Sequence, residues 1–165
     1  MKRIITIQTG EVEFGSKDAI LKSSGIGSCV VITAYSPDKK IGVIAHVMLP
    51  GASPGGKDIQ RTRYAADAID EVIDRMKRSG VGKDDIEVCL VGGGNVLRRE
   101  DDGICEQNIE SIIEIFNDKH IEIRAQVLGG AERRSVSLDV DKGTVHYTEG
   151  DGKEKLLWGE GNTDQ

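Results

Sequence analysis

The apolar and polar positions divide the chain into short segments with two different periods. Residues 2–8 (KRIITIQ) and 18–24 (DAILKSS) read as short strands, punctuated by Gly10, Gly15 and Gly25. Residues 29–35 (CVVITAY) are rich in β-branched side chains. A turn follows at Ser36-Pro37-Asp38-Lys39, then a second apolar run over 41–49 (IGVIAHVML). Two such runs around a turn predict a hairpin. The Pro- and Gly-rich stretch at 50–60 (PGASPGGKDIQ) predicts a loop with a mobile backbone. From Arg61 to Ser79 the period changes. Ala65, Ala68, Ile69, Val72, Ile73 and Met76 recur at three- and four-residue steps among charged residues, which predicts an amphipathic helix ended by Gly80 with a solvated outer face. A second helix is predicted over 105–118, with Ile109, Ile112, Ile113 and Phe116 as its stripe. Between the two, residues 86–94 (IEVCLVGGG) read as a strand running into three glycines. Residues 121–127 alternate and predict a strand with one wet face. Val136, Leu138 and Val140, then Val145 and Tyr147, flank Asp141-Lys142-Gly143 and predict a final hairpin. Beyond Gly150 only Leu156-Leu157-Trp158 is apolar. This trio is expected to dock on the body, with the last few residues unordered.

Hairpins dominate and two helices interrupt them, so the expected class is α+β: a layered sandwich of mixed or antiparallel β-sheet with the two main amphipathic helices packed on the outside. A doubly wound α/β fold would alternate strand and helix throughout. The 165 residues suffice for one domain. A net charge of −6 argues against a nucleic-acid binder held by phosphate contacts. No apolar run approaches the ~18–20 residues of a membrane span, and the start, MKRIITIQTGEVEFG, lacks the apolar region of a secretory signal. Three scattered cysteines fit a reducing cytoplasm better than a disulfide framework. Twenty-one glycines against three prolines predict tight turns and close backbone approaches.

Candidate chemistry concentrates in Ser23-Ser24-Gly25-Ile26-Gly27-Ser28-Cys29, followed by His46 in the next strand. A thiol is a useful nucleophile only as thiolate, and a nearby imidazole can take its proton. Centring the hairpin turn between Pro37 and Asp38 places Cys29 directly opposite His46, where Cβ atoms lie ~4.5–5.5 Å apart. Pro37 is unsuited to a two-residue primed turn, and a one-residue slip would part the two side chains. The glycines before Cys29 allow a sharp turn whose freed amides, at Gly27 and Ser28, would face a developing oxyanion. Ser23, Ser24 and Ser28 offer hydroxyls to orient His46 or a substrate. The same residues also fit a buried core cysteine and a hydrogen-bonded structural histidine. Cys89 reads as core, Cys105 as a helix-start residue, and His120 as meeting the carboxyl end of the second helix; His146 has no assigned role. The three glycines at 92–94 are too loose for a dinucleotide fingerprint and predict close packing beside the site. Neither a phosphate-binding loop nor zinc-ligand spacing is present in the sequence.

With these residues in place, the chain resembles the chemoreceptor glutamine deamidase family, CheD. The likeness lies in GIGSCV at 25–30 and AHVMLP at 45–50. It continues through Tyr64, Asp67 and Ala68, the glycines of VGGGNVL at 91–97, Asn108, and GGAERRSV at 129–136, covering about residues 20 to 148. The resemblance implies a nucleophile at Cys29, a base at His46, and the third polar position of the triad, usually threonine, at Ser23. Serine keeps the hydroxyl and loses the methyl that fixes its rotamer. Two departures concern recognition. Gln107 stands where the family tends to have arginine, and Arg133 stands where it usually has a small residue.

The implied activity is hydrolysis of glutamine side chains of methyl-accepting chemotaxis receptors to glutamate through a Cys–His thioester, without cofactor or metal. Residues 1–150 would form a single catalytic domain and 151–165 a polar C-terminal tail. The implied partners are the receptors and a CheC-type phosphatase, in the cytoplasm, with no nucleic acid and no direct membrane insertion. An alternative is a catalytically reduced adaptor that binds the receptors and the phosphatase. The Cys–His pair by itself is also compatible with peptide cleavage or amide transfer. The enzyme reading expects Cys29 to react with iodoacetamide below the ordinary thiol pKa of ~8.5.

Overall fold

Short β-branched runs separated by glycine become strands, and the two amphipathic stretches become helices. The computed structural model describes residues 2–56, 60–101 and 103–159. In chain order the elements are β1 (Arg3–Thr6), β2 (Val12–Gly15), β3 (Ala19–Ile26), β4 (Val30–Ser36), β5 (Ile41–Val47), α1 (Ala65–Arg78), β6 (Glu87–Gly92), α2 (Gly103–Asp118), β7 (Ile123–Leu128), β8 (Arg134–Asp139), β9 (Thr144–Glu149) and β10 (Lys155–Trp158). Single 3-10 turns cover Arg61–Arg63 and Lys83–Asp85.

The strands form two five-stranded sheets, in the orders β1-β3-β8-β9-β10 and β2-β5-β4-β6-β7. Each is mixed: β1 with β3 and β6 with β7 are parallel, and the remaining pairs are antiparallel. Both helices pack on one face of the second sheet, and the first sheet covers the other face. The resulting order is helix layer, sheet, sheet, the α+β layered class that the periodicities predict.

This layering explains why VVITAYS in β4 reads as a continuous apolar run rather than an alternating one. All seven residues are buried. Val30, Ile32 and Ala34 meet Ala68, Ile69, Val72 and Met76 of α1 and Ile112 and Phe116 of α2 in one core. Val31 and Tyr35 face Leu21, Ile26, Val136, Leu138 and Val145 of the first sheet in the other. Full burial of each large apolar side chain contributes about 1.5–3 kcal/mol, so the middle sheet is held from both sides.

Several boundaries differ from expectation. The first helix starts at Ala65 because Tyr64 is extended (φ −96°, ψ 141°) and bridges Leu49; the residues before it form a 3-10 turn. β2 has no counterpart in the sequence reading. It pairs with β5 and forms an edge of the second sheet. Leu156-Leu157-Trp158 belongs to β10, an edge strand on β9. In the 50–60 loop, residues 57–59 lie outside the described residues, as do residues 160–165, on which the expectation of an unordered end falls. No helix among the described residues is long and apolar enough to cross a membrane.

Candidate active site

The β4–β5 hairpin sets the site's geometry. Its last pair before the turn is Ser36 with Ile41, so the turn spans four residues, 37–40. Pro37 accounts for this: its fixed φ suits a longer loop better than a two-residue primed turn. Lys40 closes the loop in the left-handed region (φ 51°), and its amide donates to Ser36 O at 2.9 Å. The direct opposition of Cys29 and His46 is therefore corrected. His46 faces Val31, and Cys29 sits two residues earlier, in the bend just before β4. The error is an even register shift, which along a paired strand preserves the side-chain face; Cys29 itself lies in the bend outside the ladder. A one-residue error would have reversed that face.

His46 is 2% exposed and lies between the two sheets. From the first sheet, Ser23 Oγ is 2.8 Å from His46 Nδ1. The same hydroxyl donates to Ile7 O at 2.7 Å. A serine has one proton and a carbonyl can only accept, so the Ser23 proton belongs to Ile7. His46 Nδ1 must then be the donor to Ser23, which makes Nε2 the nitrogen with the free lone pair. The His46 backbone is held as well: its N–H donates to Glu11 O, and its carbonyl accepts from Gly10 N–H. Of the three serines expected to orient His46 or a substrate, Ser23 is the one bonded to His46. Ser24 is exposed, and Ser28 lies on the cleft wall.

Cys29 is half-buried and lines a cleft of about 380 Å³ together with Gly27, Ser28, Leu97, Ile104 and Arg133. His46 is not part of the cleft lining. Burial pushes the Cys29 thiol up, opposed by the hydrogen bond from its own amide to sulfur. Burial also pushes His46 down, to about 4. Near neutral pH both groups therefore rest uncharged, as thiol and imidazole. The apolar surroundings that shelter the two groups disfavour their ion-pair form. Among the described residues, no hydrogen bond joins the two side chains, and none occupies the amides of Gly27 and Ser28.

The glycine run fixes the loop that carries Cys29. Gly93 N–H donates to Cys29 O at 2.8 Å, and Gly94 N–H donates to Gly27 O at 2.9 Å. Gly92 has φ +134°, and a Cβ there would overlap the Cys29 carbonyl oxygen. The Gly92 carbonyl in turn accepts from the buried Arg134 guanidinium at 3.2 Å. Arg134 has no place in the sequence reading, and a charged residue inside an alternating strand gives no signal of this role. Cys105 is buried on the cleft's far wall and donates to Gly94 O at 3.5 Å. Of the two departures, Gln107 is on the exposed face of α2, whereas Arg133 stands on the cleft wall.

Comparison with known proteins shows which family the chain resembles. The family model described as CheD chemotactic sensory transduction matches residues 48–149. The chain is 35% identical to the probable chemoreceptor glutamine deamidase CheD of Chlorobium luteolum over 154 residues, 93% of this chain and 77% of that protein. It is 30% identical to the chemoreceptor glutamine deamidase CheD of Thermotoga maritima over 156 residues, 94% and 97% of the two chains. A third relative, the probable deamidase of Archaeoglobus fulgidus, is 34% identical over 140 residues, 82% of this chain and 88% of its own.

Proposed function

The chain belongs to the CheD chemotactic sensory transduction family, and from that premise we propose that it is a chemoreceptor glutamine deamidase whose chemistry is carried by Cys29, His46 and Ser23. The observation that supports this most directly is the Ser23 hydroxyl between Ile7 O and His46 Nδ1. It leaves Nε2 unprotonated and uncharged at neutral pH, the state a general base requires.

His46 Nε2 takes the Cys29 proton as sulfur attacks the carboxamide carbon of the substrate glutamine. The oxyanion that forms is met by the unoccupied amides of Gly27 and Ser28. His46 returns the proton to the departing nitrogen, and ammonia leaves behind a thioester. Water, deprotonated by His46, then attacks the thioester carbon. Sulfur leaves with the proton, and the products are glutamate and free Cys29. The thiol and imidazole need not be hydrogen-bonded beforehand, since such contacts tighten when substrate closes the site. Cys29→Ala is expected to abolish ammonia release from a chemoreceptor's cytoplasmic fragment. Release at the wild-type rate would overturn the reading.

The same cleft rim supports a finer proposal about partners. Leu97 is 67% and Ile104 40% exposed beside Cys29, with Arg99 and Arg133 flanking them. We assign this apolar rim to receptor binding and to docking of a CheC-type phosphatase, in the cytoplasm. The catalytic unit is assigned to residues 1–150 and the tail to 151–165. Competition between receptor fragment and phosphatase for the protein, lost in Leu97→Asp, is the expected result.

A further inference from the structure

Where β4 and β5 part, backbone carbonyls lose their ladder partners. The last pair is Val30 with Val47. Beyond it the chain opens, with Ser28 and Cys29 on one side and Met48 on the other. One side chain from the helix layer takes a carbonyl from each side. Asn108, wholly buried on α2, donates from Nδ2 to Ser28 O at 3.0 Å and to Met48 O at 3.1 Å. A primary amide carries two N–H donors on one nitrogen, so Asn108 acts as an additional rung placed just past the end of the real ladder. Both partners are acceptors, which fixes which end of the amide faces them.

The positions joined are those that matter for the proposed chemistry. Ser28 precedes the nucleophile, and Met48 follows the base by two residues. Asn108 thus ties the two strand ends to each other from the helix side, while Gly93 and Gly94 hold the Cys29 loop from the β6 side. The other end of the side chain, Oδ1, is buried with no partner. A buried acceptor left unpaired weighs against a purely stabilising role.

Resting on the Cys29–His46 reading above, we infer that Asn108 is a positioning residue that holds the Cys29 thiol within reach of His46 Nε2. It touches neither substrate nor the reacting atoms. Asn108→Leu keeps the volume and removes both donors. In this variant kcat for ammonia release from a chemoreceptor cytoplasmic fragment falls by about tenfold or more, while KM stays within about twofold. Alkylation of Cys29 by iodoacetamide slows at neutral pH, where the imidazole assists. It is unchanged above the thiol's pKa, where hydroxide does the work. Asn108→Ser, with a single short donor, gives intermediate values and decides the matter by the same criteria if the leucine variant does not fold. A kcat within about twofold of wild type, or alkylation rates that fall together at both pH values, overturns the inference. Cys29→Ala measured alongside separates the two levels. If it retains ammonia release, the deamidase reading fails; if it is inactive while the Asn108 variants are not, the positioning role alone fails.

Discussion

Ser23 has a single proton and commits it to a backbone carbonyl, and that fixes the state of the neighbouring imidazole. Ser23→Ala leaves both the His46 Nδ1–H and the Ile7 carbonyl unpaired in the interior. It is expected to lower stability by about 1–3 kcal/mol and kcat by roughly 10–100-fold, measured by denaturant unfolding and ammonia release; Ser23→Thr restores both. The pH dependence follows from His46. Its pKa in the folded protein is about 4, against the ordinary 6.5, so between these values the unfolded chain binds a proton that the folded chain refuses. Stability contributed by neutral His46 is fully present above pH 6.5 and declines as pH falls toward 4, by up to about 3 kcal/mol. His46→Asn, which keeps an N–H toward Ser23, is expected to flatten urea midpoints across that window and to abolish turnover. Iodoacetamide labelling of wild-type Cys29 should show a midpoint above the ordinary thiol value. A midpoint below it would mean that burial is not what governs the sulfur. At this scale the pairing of Ser23 with His46 was legible, because few residue types orient an imidazole; Cys29 as the nucleophile stays a proposal, tested by Cys29→Ala. The Ile7 carbonyl was not, since it contributes only a backbone oxygen, and Asn108 was visible only as part of the resemblance, with no role attached to it.

Among the elements, the β4–β5 hairpin was legible in existence and side-chain face but not in register. Pro37 signalled that a two-residue turn was unsuitable; which longer loop replaces it depends on how Lys40 satisfies Ser36 O. β2 was missed because VEFG is four residues long, ends in glycine and is stabilised by pairing with β5 rather than by its own pattern. Its Gly15 is required by tertiary contact, since a side chain there would press on Leu21 and Ala19. The glycine run after β6 was legible as a site of close approach, and its partner proves to be the Cys29 loop. Gly92→Ala tests this link. A left-handed backbone and a collision with the Cys29 carbonyl together should cost at least about 2 kcal/mol. The variant should lose ammonia release under conditions where circular dichroism still reports a folded chain.

For the molecule as a whole, the three-layer order follows from which runs are apolar on two faces and which on one. β4 and β6 are covered on both sides, while β7 alternates and keeps a wet face. Phe116, buried where α2 meets the middle sheet, is a test of that arrangement: Phe116→Ala should cost about 3–5 kcal/mol. The far edge of the first sheet should be separable from chemistry. Removing residues 155–165 deletes β10, the hydrogen bond from Trp158 Nε1 to Glu87 and the stacking of Arg124 on the indole. A melting temperature lower by roughly 2–8 °C with ammonia release intact is the expected outcome, because β3, which carries Ser23, lies three strands from that edge. Ser23 and His46 sit on different sheets, with Cys29 in the crossover that joins them. The three groups therefore converge only once the sandwich has closed. Under the proposed mechanism, a half-folded chain emerging from the ribosome would hold a dormant sulfhydryl rather than an indiscriminate amide hydrolase, and the onset of turnover during refolding would time the docking of one sheet against the other.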